Sequence, residues 1–254
     1  MEANTAQMMD TPPFQHQRRV LTKRYRASMV GDLGTVSLLL LQAPFIGWLC
    51  TLVWDSVETD TASLYFVLSL SAVWFGCINA CREIVKDRAI LERERLLGLN
   101  LTAYLCAQFV VLATISFGQV LLLQVAVEWS LALRGVFFIQ TFALWLGSLA
   151  GISLGLLVSA IAQSQERAVG AIPLLILPQI LFSEFAIPRE HFTGLVQQIE
   201  RIMPVRWCYE IFTQLADVET DWLMVLLSFV LLVMLTVVFG GFARIALLSQ
   251  RDVL

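Results

Sequence analysis

The side chains that could act as nucleophiles, general bases or metal ligands are few in this sequence and lie far apart. Its two histidines, His16 and His191, are separated by most of the chain, and the topology derived below places them on opposite sides of a membrane. A catalytic Ser/His or Cys/His pair, or a histidine metal site, requires these groups within hydrogen-bonding or coordination distance. We therefore predict that the chain has no catalytic residues and no metal site.

The long apolar stretches contain amides where an ion-coupled carrier would bury a carboxylate. These amides are Gln42, Asn79, Gln119, Gln140 and Gln179. Proton- and sodium-coupled carriers usually keep an acidic side chain at mid-membrane, so the lack of one argues against coupling to an ion gradient. A phosphate-binding GxxxxGK[ST] loop is also missing, because Lys23 and Lys86 follow threonine and valine. Any nucleotide hydrolysis must then come from another chain.

Composition indicates that membrane helices position these groups. Hydrophobic residues make up 58% of the 254 residues and charged residues 15%, and the mean hydropathy is +0.75; soluble domains are about 45 to 50% apolar and about 25% charged. The apolar runs are continuous, which excludes the alternating strands of a membrane barrel, and a helix needs about 20 such residues to cross a bilayer. We predict an all-α polytopic membrane protein with six spans at residues 33–54, 63–81, 103–127, 136–162, 168–183 (continuing to 187) and 222–243.

Positive charge indicates the orientation, because Lys and Arg in short loops are retained on the cytoplasmic side. With the N-terminus inside, 13 of the 17 Lys and Arg residues lie on the cytoplasmic side. The other four, outside, are Arg134, Arg189, Arg201 and Arg206. We therefore predict that the N- and C-termini are both cytoplasmic. The net charge of −3 argues against a nucleic-acid partner.

The segment between the second and third spans, residues 82–105, is the most informative part of the chain. On a helix its cations share one stripe, its acids share the next, and apolar residues form a third. These stripes consist of Arg82, Lys86 and Arg93; of Glu83, Asp87 and Glu94; and of Val85, Ala89 and Leu96. Such a helix suits docking onto a soluble partner, but a solvated helix face explains the same pattern. The spacing leaves both interpretations open.

Other segments carry weaker signals. The basic tail in residues 1–32 either lies along the inner leaflet or is an ordinary cytoplasmic flank. Residues 184–220 are predicted to be outside yet are amphipathic, which favours a helical hairpin that re-enters the outer leaflet. Small residues recur every four positions from Gly147 to Ser159 and predict a close helix contact, by default within one subunit. Pro173 and Pro178 predict a bent fifth span.

Two stretches resemble the ABC transporter permeases of the ABCG-like (white-type) subclass. One is EIVKDRAILERERLLGLNLTAY, residues 83–104, after the second span; the other is MPVRWCYE, residues 203–210, before the last. The resemblance covers nearly the whole chain. It implies an N-terminal interfacial connecting helix within residues 1–32, a six-span domain over 33–254, a cytoplasmic coupling helix at 83–98 and the outer re-entrant hairpin at 184–220.

The resemblance also implies partners and function. It implies the permease subunit of an ATP-driven exporter in the bacterial inner membrane, in the separate-subunit form. The chain would pair as a homodimer and bind an ATP-binding cassette subunit, which holds the ATP and Mg²⁺. The homodimer would form an alternating-access pathway for an amphipathic or lipid-like cargo among membrane lipids.

Site residues carried over from the resemblance fall into three groups. The ATPase-coupling residues are Glu83, Asp87, Arg88, Glu92, Glu94, Arg95 and Gly98. The translocation pathway contains Phe75, Asn79, Ile176, Leu177 and Gln179, and the outer valve consists of Phe185 and Ala186. For Phe75 and Phe185, packing against lipid or core is the competing interpretation.

Two alternatives come from other functional classes. One is a membrane scaffold that recruits a soluble protein through the charged helix and transports nothing. The other is an ungated lipid scramblase. An ATPase that co-purifies with the chain, and whose activity rises in its presence, distinguishes the exporter from both.

Overall fold

Helices account for all the regular structure in the described residues, which are 12–57, 62–184 and 192–249 of a computed structural model. The predicted all-α class is therefore confirmed for these ranges. Their helices are α1 (Phe14–Gly31), α2 (Leu33–Trp54), α3 (Ala62–Ala80), α4 (Glu83–Lys86), α5 (Arg88–Leu96), α6 (Leu101–Glu128), α7 (Phe137–Ile161), α8 (Gln165–Gly170), α9 (Ile172–Leu181), α10 (Gly194–Arg201), α11 (Pro204–Ala216) and α12 (Trp222–Ser249).

Within the described residues, five helical segments are long and apolar enough to cross a membrane: α2, α3 together with α4, α6, α7 and α12. Most of the apolar window of α3 and of α7 is buried inside the chain, whereas only 22% of that window is buried in α2 and in α12. Helices α3 and α7 thus form the centre of the bundle. The exposed apolar faces of α2 and α12 are suited to contact with lipid. Lipid offers no hydrogen-bond partners, and a helix needs none because it satisfies its backbone groups internally.

The centre of the fold is a close backbone contact between α3 and α7. A Cβ atom added to Gly76 would lie 2.0 Å from the carbonyl oxygen of Ser148, and one added to Gly155 would lie 2.6 Å from that of Cys77. A side chain at either glycine would therefore push the two backbones apart. The small residues of α7 pack within one subunit, as predicted.

The fifth predicted span, residues 168–183, is divided into two short helices. Helix α8 ends at Gly170, and α9 runs for 10 residues from Ile172. Pro173 lies in the first turn of α9, where a missing backbone N–H costs nothing, and it disfavours helical continuation at the preceding residue. Pro178 lies inside α9. The predicted interruption is present beside Pro173, whereas α9 continues through Pro178. Neither helix alone has the length of a span.

Two elements outside the long helices pack firmly onto the bundle. Helix α1 buries Leu21, Tyr25 and Met29, which join a core cluster with residues of α6. Helix α11 begins at Pro204, and it buries Phe212 in the core that α3, α7 and α12 share. The first helix thus lies against the bundle beside the charged segment that follows α3.

Candidate coupling site beside the charged segment

The charged segment, residues 83–98, begins with a helix start that α7 holds in place. The Oγ atom of Ser159, fully buried near the end of α7, accepts hydrogen bonds from the backbone N–H groups of Ile84 at 2.9 Å and Val85 at 3.0 Å. These two donors would otherwise be unsatisfied at the start of α4. One serine therefore fixes the charged segment to the end of a central helix.

A second link to α7 lies one turn further along. Asp87 separates α4 from α5, so the structure divides residues 83–98 into two helices. The charged and apolar stripes predicted for one continuous helix therefore change register at Asp87. The Nη2 atom of Arg88 donates to the carbonyl oxygen of Ala160 at 2.9 Å. Burial raises the pKa of Asp87, and Lys86 opposes that shift. Asp87 and Arg88 are both half-buried, so they support the segment from within.

Glu83 lies in the interior and contacts α1. Its carboxylate accepts a hydrogen bond from the hydroxyl of Tyr25 and forms an ion pair with Lys86, with Nζ and Oε2 at 2.5 Å. Burial, and then the nearby Glu83 charge, raise the pKa of Tyr25, so the phenol remains a proton donor. Glu83 is only 7% exposed, and it therefore joins α1 to α4 rather than facing water.

Glu94 holds α1 against α5 from the other side. Both of its carboxylate oxygens accept from the guanidinium of Arg24, the second at 3.2 Å. The hydrogen bond to Glu94 raises the pKa of Arg24. Further along, the Oε1 atom of Gln17 accepts from the backbone N–H of Asn100 at 2.9 Å. Helix α1 thus contacts both ends of the charged segment.

Gly98 ends α5 in a left-handed conformation with φ of +88°. Its N–H donates to the carbonyl oxygen of Arg95 at 3.2 Å, and the N–H of Leu99 donates to that of Glu94 at 3.1 Å. This pair of bonds is the Schellman motif, which satisfies carbonyls at a helix end and favours glycine. The geometry explains why glycine stands at this position.

The outer edge of α5 remains exposed. Ile90 is 52% exposed, Leu96 89% and Leu97 84%, and the charged side chains of Glu92 and Arg93 lie exposed beside them. Large apolar side chains in water, rimmed by charge, are typical of a protein contact surface. We call these five residues the α5 edge. Among the sequence-predicted coupling residues, Glu92 lies on the α5 edge, whereas Glu83, Asp87, Arg88, Glu94 and Gly98 support it; Arg95 faces α12, as described below.

The predicted pathway residues divide between the interior and the surface. Phe75 is fully buried, and Asn79 is 3% exposed and donates from Nδ2 to the Oε1 of Gln119 at 2.5 Å. Gln119 in turn donates to the carbonyl oxygen of Leu39 at 2.8 Å. Both amides thus join α2, α3 and α6 within the chain.

The other pathway residues lie on α9. Ile176 and Gln179 are buried, and the Oε1 of Gln179 accepts from the backbone N–H of Val205 at 3.2 Å, which caps α11. Leu177 is 51% exposed. The predicted valve residues Phe185 and Ala186 lie outside the described residues.

Three supporting residues escape the sequence patterns. Arg24 and Tyr25 lie in a basic tail that looks like an ordinary cytoplasmic flank, and Ser159 looks like one more small residue of the α7 ridge. Their partners are 58 to 75 residues away in the chain, so no helical periodicity relates them. The one available signal is that Ser159 ends a ridge of glycines with a side chain able to accept hydrogen bonds.

Comparison with known proteins identifies the kind of molecule that carries this site. A sequence model of the ABC-2 type transporter family matches residues 16–216. The chain belongs to the ABC-2 type transporter family. The match extends from α1 to the end of α11, so it includes the whole charged segment. Together with the apolar helices, it makes this chain an integral membrane protein and a permease component of an ABC transporter.

This ABC-2 type permease also has a curated relative in Mycobacterium tuberculosis, an ABC transporter ATP-binding/permease protein. The two are 28% identical over 158 residues, which cover 58% of this chain and 18% of the relative. The chain therefore spans about a fifth of the length of that protein. As the relative's name states, its ATP-binding and permease parts are joined in one protein.

Proposed function

We propose that this ABC-2 type permease is the transmembrane subunit of an ATP-driven exporter of the ABCG-like subclass, with its ATPase on a separate chain. The α5 edge is the observation that carries the proposal. A helix that only recruits a soluble protein would need no more than an exposed surface. The α5 edge is also joined to the transmembrane bundle by Ser159, Arg88 and Glu94. A partner that moves α5 therefore also moves the end of α7 and α1.

The α5 edge is the proposed contact surface for the ATPase. Closure of two ATP-binding subunits would displace Ile90, Leu96 and Leu97, and the supporting hydrogen bonds would pass that displacement to the spans. Alternate opening toward the two sides of the membrane then follows from tilting of two bundles about a shared axis. The ATP-binding subunit supplies the nucleotide and Mg²⁺ chemistry.

The topology follows from the same proposal. Helices α8 and α9 form the fifth of six membrane elements along the chain. Helices α10 and α11 form a re-entrant hairpin on the outer side. The membrane is the bacterial inner membrane, and both termini are cytoplasmic. The charge distribution supports this orientation, since α5 lies at the end of the bundle that is rich in Lys and Arg.

The pathway is proposed to lie between two copies of the chain, along α9. Leu174, Leu177 and Leu181 form an exposed apolar stripe on this helix. Ile176 and Gln179 form the buried face of the same helix, and Phe75 and Asn79 lie buried on α3, which α9 contacts. An apolar wall without a described carboxylate suits an amphipathic or lipid-like cargo, and Phe185 with Ala186 is proposed to close its outer end.

Reconstitution with the ATPase tests the proposal. The ATP-binding cassette protein that co-purifies with the chain is incorporated with it into vesicles, and ATP hydrolysis is measured. We expect the doubly substituted Leu96→Glu/Leu97→Glu chain to lose most of the stimulation of hydrolysis, because both side chains leave an apolar contact. Val218→Glu is the matched control, since Val218 is 99% exposed in the link between α11 and α12, and it should keep the wild-type rate.

Two outcomes would contradict the exporter. If no ATPase co-purifies, or if the Leu96/Leu97 variant stimulates hydrolysis as wild type does, then the α5 edge is not the coupling surface. Lipid movement between leaflets that is independent of ATP would instead indicate a scramblase.

A further inference from the structure

A small pocket beside the α5 edge contains two arginines that the proposed coupling surface does not use. Arg95 reaches it from α5 and Arg244 from α12, and the cavity has a volume of about 160 Å³. Leu99, Leu101 and Leu248 supply its apolar walls. We call it the Arg95–Arg244 pocket. It lies where α6 begins and α12 approaches its end.

The described residues do not compensate the positive charge of this pocket. In the described part of the chain, neither Arg95 nor Arg244 forms an ion pair, and none of the residues that line the pocket is acidic. The Nη2 atom of Arg95 is buried and lacks a hydrogen-bond acceptor among the described residues. A buried guanidinium N–H without an acceptor is costly. That cost is removed if the pocket holds an anion.

The helix start beside the pocket does not provide the attraction. The Oδ1 atom of Asn100 accepts from the backbone N–H groups of Thr102 at 2.9 Å and Ala103 at 3.2 Å, so the first donors of α6 are already satisfied. The two guanidinium groups are the cationic donors of the pocket. Guanidinium presents paired N–H groups that match two oxygens of a phosphate.

The position of the pocket indicates the source of that phosphate. Helix α6 enters its apolar run at Leu101, and Arg244 follows the long apolar run of α12, so the two arginines lie at the border between apolar and charged sequence. At this depth a lipid places its phosphate, with its glycerol and first acyl carbons beside it. The three leucines suit those carbons and offer nothing to a free inorganic ion.

We propose that the Arg95–Arg244 pocket binds the phosphate of an anionic phospholipid in the leaflet beside α5. In the orientation proposed above, this is the cytoplasmic leaflet. The bound phosphate bridges α5 and α12, two elements that share no described ion pair. A lipid thus fixes the inner side of α5, while the α5 edge remains free for the ATPase.

Native mass spectrometry of the purified chain provides the test. The protein is released from micelles supplemented with phosphatidylglycerol or with phosphatidylcholine, and the retained lipid is counted per chain. Wild type should retain phosphatidylglycerol in preference, and Arg95→Gln/Arg244→Gln should reduce its retention by about fivefold or more, given the usual contribution of an arginine beside an anionic bilayer. Arg82→Gln, which removes an exposed cation immediately before the charged segment, should retain lipid as wild type does.

The charge-preserving variant Arg95→Lys/Arg244→Lys controls for a general loss of structure. It should retain more phosphatidylglycerol than the double glutamine variant and less than wild type. Equal retention by wild type and the double glutamine variant, or equal retention of both lipids by wild type, would overturn the proposal. A separate arm adds inorganic phosphate. If phosphate raises the unfolding temperature of wild type while phosphatidylglycerol is not retained, then the ligand is a soluble anion and the lipid assignment is wrong.

Discussion

Gly98 occupies a backbone conformation that places most side chains under strain. Its φ of +88° closes the end of α5, and a Cβ atom in the left-handed region costs about 1 to 2 kcal/mol. We therefore expect Gly98→Ala to lower the free energy of unfolding by about that amount, measured by thermal unfolding of the purified protein.

Gly170→Ala is the control for that substitution. A Cβ atom added to Gly170 meets no other atom within 4 Å, and alanine is favoured over glycine in a helix. The control should keep or raise the stability. If both variants lose stability equally, the conformation of Gly98 is not the cause.

Ser159 satisfies two buried N–H groups with one oxygen atom. In Ser159→Ala both groups lose their acceptor, and we expect a loss of stability of about 1 to 3 kcal/mol, together with weaker stimulation of the ATPase. Ser153→Ala tests the same change on the same helix, because Ser153 is buried but makes no hydrogen bond recorded for the described residues. Thermal unfolding compares the two, and a Ser153 variant as unstable as the Ser159 variant would argue against the proposed link.

Asp87 makes the stability of the charged segment depend on pH. Burial raises its pKa above the ordinary value of 3.8, so the folded protein binds this proton more tightly than the unfolded chain does. The resulting stabilisation is complete below pH 3.8 and disappears as the pH rises through the raised pKa. Asp87→Asn should therefore be more stable than wild type at neutral pH, and the difference should shrink on acidification.

The unfolding temperatures of wild type and Asp87→Asn, measured across that pH range, check this sign. Glu92→Gln provides the comparison, since Glu92 is exposed and its substitution should shift stability little at any pH. A difference between Asp87→Asn and wild type that grows on acidification would contradict burial as the dominant influence.

At the scale of elements, α1 and α5 are joined by the Arg24–Glu94 pair. Glu94→Lys breaks the pair and places a cation opposite Arg24, so we expect a loss of stability below about 1 kcal/mol, because the pair is partly exposed, and reduced stimulation of the ATPase. The charge-swapped double variant Arg24→Glu/Glu94→Lys should restore both. Unfolding and ATP hydrolysis are measured for all three chains. A loss of stimulation that persists in the double variant would mean that Glu94 contacts the ATPase itself.

The sequence predicts the elements better than the contacts between them. Apolar run length predicts the α2, α6, α7 and α12 spans, because a bilayer imposes that length. The break at Asp87 escapes prediction, since neither proline nor glycine lies there and Ser159, a residue from another helix, caps α4 instead. The roles of Gln179 and Asn79 also escape prediction, because their hydrogen-bond partners lie on other helices. Their amides bond to α11 and α6 and do not line an open surface.

The whole molecule has a predicted orientation that can be measured directly. Ser56, Gln165 and Gln197 are all exposed, and each is replaced by cysteine in turn. In sealed cells an impermeant thiol reagent should label positions 56 and 197 and leave position 165 unlabelled. The five native cysteines give a low background, because four are buried and Cys106 is half-buried. Labelling at position 165 would reverse the topology.

The direct backbone contact at Gly76 and Gly155 has a mechanical consequence. Because no side chains separate α3 and α7 at these glycines, the two helices cannot slide past one another by exchanging rotamers. We therefore expect them to move as one rigid unit. In the proposed function, a displacement of α5 would reach both helices, through the chain that leaves α3 and through Ser159 on α7. In the proposed function, bending would then occur elsewhere, and the interruption at Ala171 between α8 and α9 is where we expect the hinge. Under that proposal, a small displacement of α5 would be converted into a larger swing of the proline-containing helix α9.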